Sequence, residues 1–145
     1  VKASPERMID KQIYKDVRTV TKADFEGFSA VVQLAAISND PMGNSFARVT
    51  DEINFQSSLK IANLAKSAGV RNYVFASSCS VYGAASEFAK KEEDDLNPLT
   101  AYANSKINTE TGVADLASED FIITCLRRYY LKILHFKIII IGKYV

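Results

Sequence analysis

Apolar and polar positions fall into alternating blocks along the first 128 residues. Ala30-Val31-Val32-Gln33-Leu34-Ala35-Ala36 is a nearly continuous apolar run after Gly27 and Ser29, and it ends at the breaker cluster Asn39-Asp40-Pro41. A run that is apolar on both faces predicts a central strand of a parallel sheet. From about Phe46 to Ala68 the period changes to 3.6, predicting a helix. Phe46, Val49, Ile53, Ile61, Leu64, Ala65 and Ala68 share one face of it, and Gly69 is its stop. Tyr73-Val74-Phe75-Ala76 predicts a second buried strand, running into Ser77-Ser78-Cys79-Ser80. The charge run Lys90-Lys91-Glu92-Glu93-Asp94-Asp95 reads as a solvated loop. A helix from about Thr100 to Leu116, with Thr100 as cap, leads to a third strand, Phe121 to Leu126. Gln12 to Val17 is a weaker strand candidate.

Strand, helix, strand, helix, strand is the pattern of a doubly wound parallel α/β sheet. In such sheets ligands bind at the carboxyl ends of the strands, so Asp16, Ser38, Ser78 and their neighbours are expected to line one crevice. The 145 residues allow one domain of ordinary size, and 48% hydrophobic with 24% charged residues is a globular balance. A net charge of +1 gives no electrostatic reason to expect nucleic acid or an anionic membrane as partner. The apolar run Ile138–Ile141 has four residues, against the ~20 that a spanning helix needs. Two cysteines, Cys79 and Cys125, cannot build a disulfide framework or a four-ligand zinc site, which makes a reducing cytoplasm the default expectation. No metal site is expected with a single histidine, His135. The tail from Tyr129 to Val145 has five Ile, three Lys and three Tyr in 17 residues and follows neither period. That composition fits AT-rich sequence translated out of frame better than a final strand. The expected division is residues 1–128 as the doubly wound α/β part and 129–145 as an atypical tail.

The sharpest chemistry lies in Tyr102-Ala103-Asn104-Ser105-Lys106. Four residues apart on a helix, the phenol and the ammonium project to one side. A nearby cation favours phenolate; bringing a phenol from ~10 to neutrality takes ~4 kcal/mol of differential interaction. A desolvated lysine together with a second cation in the site can supply that, and an exposed surface pair cannot. On spacing alone the surface pair is the commoner case. Ser78 stands 24 residues earlier at the end of a buried strand, where its hydroxyl could face the same crevice. Asn54 lies inside the long helix, a position that calls either for a task or for a simple hydrogen bond to a neighbouring carbonyl.

These segments, taken in order, resemble the NAD-dependent epimerase/dehydratase family, the nucleotide-sugar branch of the extended short-chain dehydrogenase/reductases. The resemblance runs from about Asp16 to Arg127 and rests on Asp16-Val17, Val32-Gln33-Leu34-Ala35-Ala36, Asn54, Ser77-Ser78-Cys79-Ser80-Val81-Tyr82-Gly83, Pro98-Leu99-Thr100-Ala101-Tyr102 with Lys106, and Leu126-Arg127. It implies a Rossmann-like sheet and NAD as cofactor. Asp16 and Val17 would contact the adenine, and Leu34, Ala35 and Ala36 would pack along the dinucleotide. Gln33 stands where the family often has histidine. Asn54 would support the active-site lysine through backbone and water. Ser78 would hydrogen-bond the reacting sugar hydroxyl, Ser80 would face the sugar, Tyr102 would be the base, and Lys106 would hold the nicotinamide ribose and tune Tyr102.

The resemblance further implies a UDP-sugar type of substrate and, for a full-length member, a homodimer. The family's 4,6-dehydratases carry Asp-Glu after the residue matching Ser78; here Cys79 and Ser80 follow it, so a UDP-glucose 4-epimerase type of reaction is expected. An NAD(P)-dependent oxidoreductase of the same branch and a catalytically silent binding module are the alternatives. None of the six glycines lie three apart, so the family's Gly-x-x-Gly-x-x-Gly loop is not in this sequence. The expectation is a partial Rossmann-like fold, without the first βα unit and the C-terminal substrate domain. Such a chain should be inactive by itself, with an open sheet edge at the strand near Ala30 that promotes self-association.

Overall fold

The computed structural model describes residues 13–38, 46–84, 89–127 and 138–141. Four strands form one parallel sheet: β1 (Ala30–Gln33), β2 (Asn72–Ala76), β3 (Ile122–Leu126) and β4 (Ile138–Ile141), in the order β3-β2-β1-β4. Registers are level, with Ala30 opposite Asn72 and Ile138, and Asn72 opposite Ile122. The carboxyl ends of β1, β2 and β3 therefore share one edge of the sheet.

Between β1 and β2 the chain is helical as α1 (Ala47–Asp51), a π turn (Glu52–Gln56) and α2 (Ser57–Ser67). Gly69 follows with φ +80°, a conformation that closes the helix at little cost only for glycine. Between β2 and β3 lies α3 (Ala101–Ala114). Its first turn is capped as expected: the Thr100 hydroxyl accepts from the Ala103 amide at 3.1 Å. One face of the sheet, through Val31, Tyr73 and Phe75, packs on Ile61, Ala62 and Ala65 of α2 and Val113 of α3. Val20, Phe25, Val70 and Phe121 complete that core. Burying this contiguous apolar set is what holds both helices on one side of the strands.

The structure departs from the sequence reading at several points. Leu34, Ala35 and Ala36 lie beyond β1, in the segment that leaves the sheet. Residues 13–16 pair with no strand, and Val17–Thr19 is a 3-10 turn capped by the Asp16 carboxylate, which accepts from the Arg18 amide at 2.9 Å. That local cap competes with a strand there. Gln12, the breaker Asn39-Asp40-Pro41 and all of the tail but 138–141 lie outside the described residues. Ile138–Ile141 runs alongside β1, so the edge expected to be open is paired. The second half of the helix before β2 buries Ile61 and Ala65 of the predicted apolar face, and its first half buries a different stripe. Thr50, Asn54, Ser57 and Ser58 are buried in its first half, while Phe46 is exposed. The π turn adds a residue to one turn and rotates the face that meets the sheet and α3.

Candidate active site

All sequence-predicted site residues but Asp16 and Val17 stem from the carboxyl ends of β1 and β2 or from the helices packed beside them. Tyr102 and Lys106 sit one turn apart on α3. The Lys106 Nζ lies 5.3 Å from the centre of the Tyr102 ring and 4.7 Å from that of Phe75 on β2. Only 3% of Lys106 is exposed, and its ammonium donates to the Ala76 carbonyl at 2.7 Å. Burial pushes the Lys106 ammonium down to about 8, against the opposing pull of the Glu110 carboxylate. The pair is thus the desolvated one, not the surface one.

Ser78 follows β2 in extended conformation and caps the 3-10 turn Cys79–Tyr82. Its oxygen accepts from the Ser80 amide at 3.2 Å and from the Ser80 hydroxyl at 3.0 Å. That leaves the Ser78 proton to be donated to a ligand oxygen. Because Lys106 holds Ala76, two residues upstream, the serine turn and the Tyr102 helix are tied together. The turn is closed by Gly83 at φ +80°, where a Cβ would run into the Asn97 carbonyl. The Asn97 amide in turn donates to the Val81 carbonyl at 3.0 Å, fixing the approach to Pro98 and α3.

Asn54, at the middle of the π turn, is 1% exposed and fully bonded. Its Oδ1 accepts from the Ile37 amide at 2.7 Å, and its Nδ2 donates to the Ile37 carbonyl and to Ser105 Oγ, each at 3.1 Å. The Asn54 carbonyl accepts from Thr109 Oγ1 at 3.2 Å. The asparagine therefore pins the segment after β1 to α3, and it reaches Lys106 through that helix rather than by a direct bond. Along the same segment Leu34, Ala35 and Ala36 leave the sheet, with Ala35 buried. Gln33 points into the core, donates to Ser58 Oγ at 3.1 Å, and has its Oε1 buried with no partner among the described residues. Asp16 and Val17 lie at the 3-10 turn, where both Asp16 oxygens are engaged by the Arg18 guanidinium, at 2.7 and 3.0 Å.

The sequence reading missed three groups that bind this site together. Ser105 joins Asn54 to α3, and Ser77 and Glu110 are hydrogen-bonded to each other. Glu110 follows Lys106 by four residues, so it stands on the same helical face, a signal equal in kind to that of Tyr102 and Lys106. Among the described residues no group of His, Cys, Asp and Glu is arranged to hold a metal ion. No helix among them is long and apolar enough to cross a membrane.

Residues 5–131 match the model of the NAD dependent epimerase/dehydratase family. The chain belongs to that family. No curated protein sequence matches it. Solved structures similar to it include MoeE5 in complex with UDP-glucuronic acid and NAD, at 29% identity and a TM-score of 0.71, covering 79% of this chain and 40% of that one. TunA, an NAD-dependent NDP-hexosamine 5,6-dehydratase of tunicamycin biosynthesis, is similar at 27% identity with a TM-score of 0.72, covering 78% and 38%. DesIV, a dTDP-glucose 4,6-dehydratase from Streptomyces venezuelae with NAD and TYD bound, has 27% identity and a TM-score of 0.72, covering 78% and 36%. The chain thus spans about two fifths of the length of the structures it matches. The fold is the α/β Rossmann-like parallel sheet of these enzymes, present in part.

The residues present fit the nicotinamide-ribose half of NAD. Lys106 has three N–H donors and uses one on Ala76, which leaves two for ribose hydroxyls. Ala35 and Ala36 bring little side-chain bulk to the segment that leaves β1.

Proposed function

We propose that this chain is the catalytic core of a nucleotide-sugar epimerase acting on C4 of a UDP-hexose. The observation that carries the reading is the buried Lys106 ammonium 5.3 Å from the Tyr102 ring, locked to the strand end that leads into Ser78. In this reading Tyr102 removes the proton of the sugar hydroxyl, and the Lys106 cation beside it favours the phenolate. Ser78 donates to the reacting oxygen, and Ser80, bonded to Ser78, holds its rotamer. NAD, when bound, supplies a two-electron hydride acceptor that can return the hydride to the other face of the sugar. Asn54 fixes the path of the backbone along which the dinucleotide would lie, while Asp16 and Val17 would meet its adenine. No carboxylic acid follows Ser78, since Cys79 and Ser80 occupy those positions. That favours return of the hydride over elimination of water, even though TunA and DesIV are dehydratases.

The test is product analysis in a full-length protein that carries this chain, given NAD and UDP-glucose. Inversion at C4 with the hexose otherwise intact is the expected result. Loss of water to a deoxy-keto sugar would replace this reading with that of a dehydratase.

A further inference from the structure

A polar contact network lies one helical turn from Lys106. Glu110 follows Tyr102 by eight residues and Lys106 by four, so all three stand on one face of α3. The Ser77 hydroxyl donates to Glu110 Oε1. Arg127, the residue after β3, grips the same carboxylate from the other side: its Nε donates to both oxygens at 3.1 Å and its Nη2 to Oε2 at 2.7 Å. The remaining reach of the guanidinium goes to the serine turn and the acidic loop. Its Nη1 donates to the Tyr82 hydroxyl at 3.0 Å and to the Glu92 carbonyl at 3.1 Å. The Glu110 and Arg127 side chains are only 13% and 18% exposed, so this is not a screened surface pair.

We propose that Glu110 is a positioning residue of the site: held by Arg127, it fixes the serine turn onto the Tyr102 helix and sets the charge that Lys106 faces. This deepens the functional reading above and rests on its assignment of Lys106. The geometry carries both halves. Ser77 immediately precedes Ser78, so its bond to Glu110 determines where the Ser78 hydroxyl sits relative to α3. Negative charge nearby favours the cationic form of a buried lysine, and Glu110 is the carboxylate whose field reaches it. The other groups packed around Lys106 do not supply that charge. The rings of Phe75 and Tyr102, centred 4.7 and 5.3 Å from the ammonium, offer it their π faces but carry no net charge. Tyr102 on the same helix is the partner to be tuned. Arg127, through Glu110, opposes the effect on Lys106 and limits it.

This arrangement gives the two ends of the pair opposite signs. The experiment is a pH titration of the Lys106 side-chain resonance by NMR in the whole chain, assigned with Lys106→Arg. Glu110→Gln should lower the midpoint by about 0.5 to 1 pH unit, and Arg127→Gln should raise it by a comparable amount. Ser77→Ala, which removes the link and no charge, should leave the midpoint in place and speed amide exchange from Ser78 to Tyr82. A purely structural role would move both charge variants the same way or neither of them, and either result overturns the proposal. If one charge variant does not fold, the sign of the shift in the other decides. No sugar or cofactor enters this measurement, so its failure is distinct from a failure to observe epimerisation.

Discussion

Lys106 shows how one residue couples stability to pH. Its folded value of about 8 lies below the 10.5 of an exposed lysine because burial disfavours the charged form. The unfolded chain therefore binds the proton more tightly, and below pH 8 the charged lysine costs the fold stability. As pH rises from 8 to 10.5 that cost disappears, and this group should return about 3 kcal/mol. Cys125 acts in the opposite direction, since its thiol is held above its usual value and loses stability as pH rises past 9. The difference between the chain and its Lys106→Met variant isolates the lysine. The urea midpoint of the parent should gain on that of Lys106→Met as pH rises from 8 to 10.5; a difference independent of pH would show that Lys106 is not desolvated. The pairing with Tyr102 was legible in the sequence because i and i+4 share a helical face. The burial that separates it from a surface pair was not, since it comes from Phe75 and Ala76 on another element.

At the scale of elements, β1, β2, β3, both helices and the Thr100 cap were readable from local pattern, because apolar runs and capping residues act within a few positions. The π turn was not. Its cause lies in the contacts of Asn54 and Ser57 with Ile37 and Glu52, and the first of these joins residues 17 apart. The same contacts explain why a polar stripe is buried where Phe46, Val49 and Ile53 were expected. Within that stripe Asn54 bonds three times to α3 and the segment after β1, Ser57 donates back to the Glu52 carbonyl, and Ser58 accepts from Gln33 of β1. The serine turn depends on one residue in the same way. Gly83 has φ +80° and no room for a methyl group against the Asn97 carbonyl. Gly83→Ala should therefore destabilise the chain by about 2 to 4 kcal/mol, from backbone strain and the displaced loop together. Calorimetry measures this directly, and a variant as stable as the parent would mean that the loop before α3 is not anchored at Asn97.

For the molecule as a whole, the parallel sheet brings Lys106, Tyr102, Ser78 and Asn54 to one edge although they lie up to 52 residues apart in the chain. Segment order made that legible, since a parallel sheet must place successive strand ends on one side. The strand at 138–141 was not legible, because four isoleucines in a row carry no period and its pairing with β1 is set by the sheet. The Rossmann-like sheet and membership of the NAD-dependent epimerase/dehydratase family agree with the site's geometry. In the proposed reading, the chain carries the half of such a site that would position the base, its lysine and the sugar hydroxyl. The central claim is that Tyr102 is the base. The direct measurement is to compare Tyr102→Phe with the parent in a full-length protein that carries this chain, reading NAD binding and single-turnover epimerisation together. The account predicts that cofactor affinity stays within a few-fold while turnover falls by about three orders of magnitude or more. A Phe variant that turns over within a few-fold of the parent would contradict it.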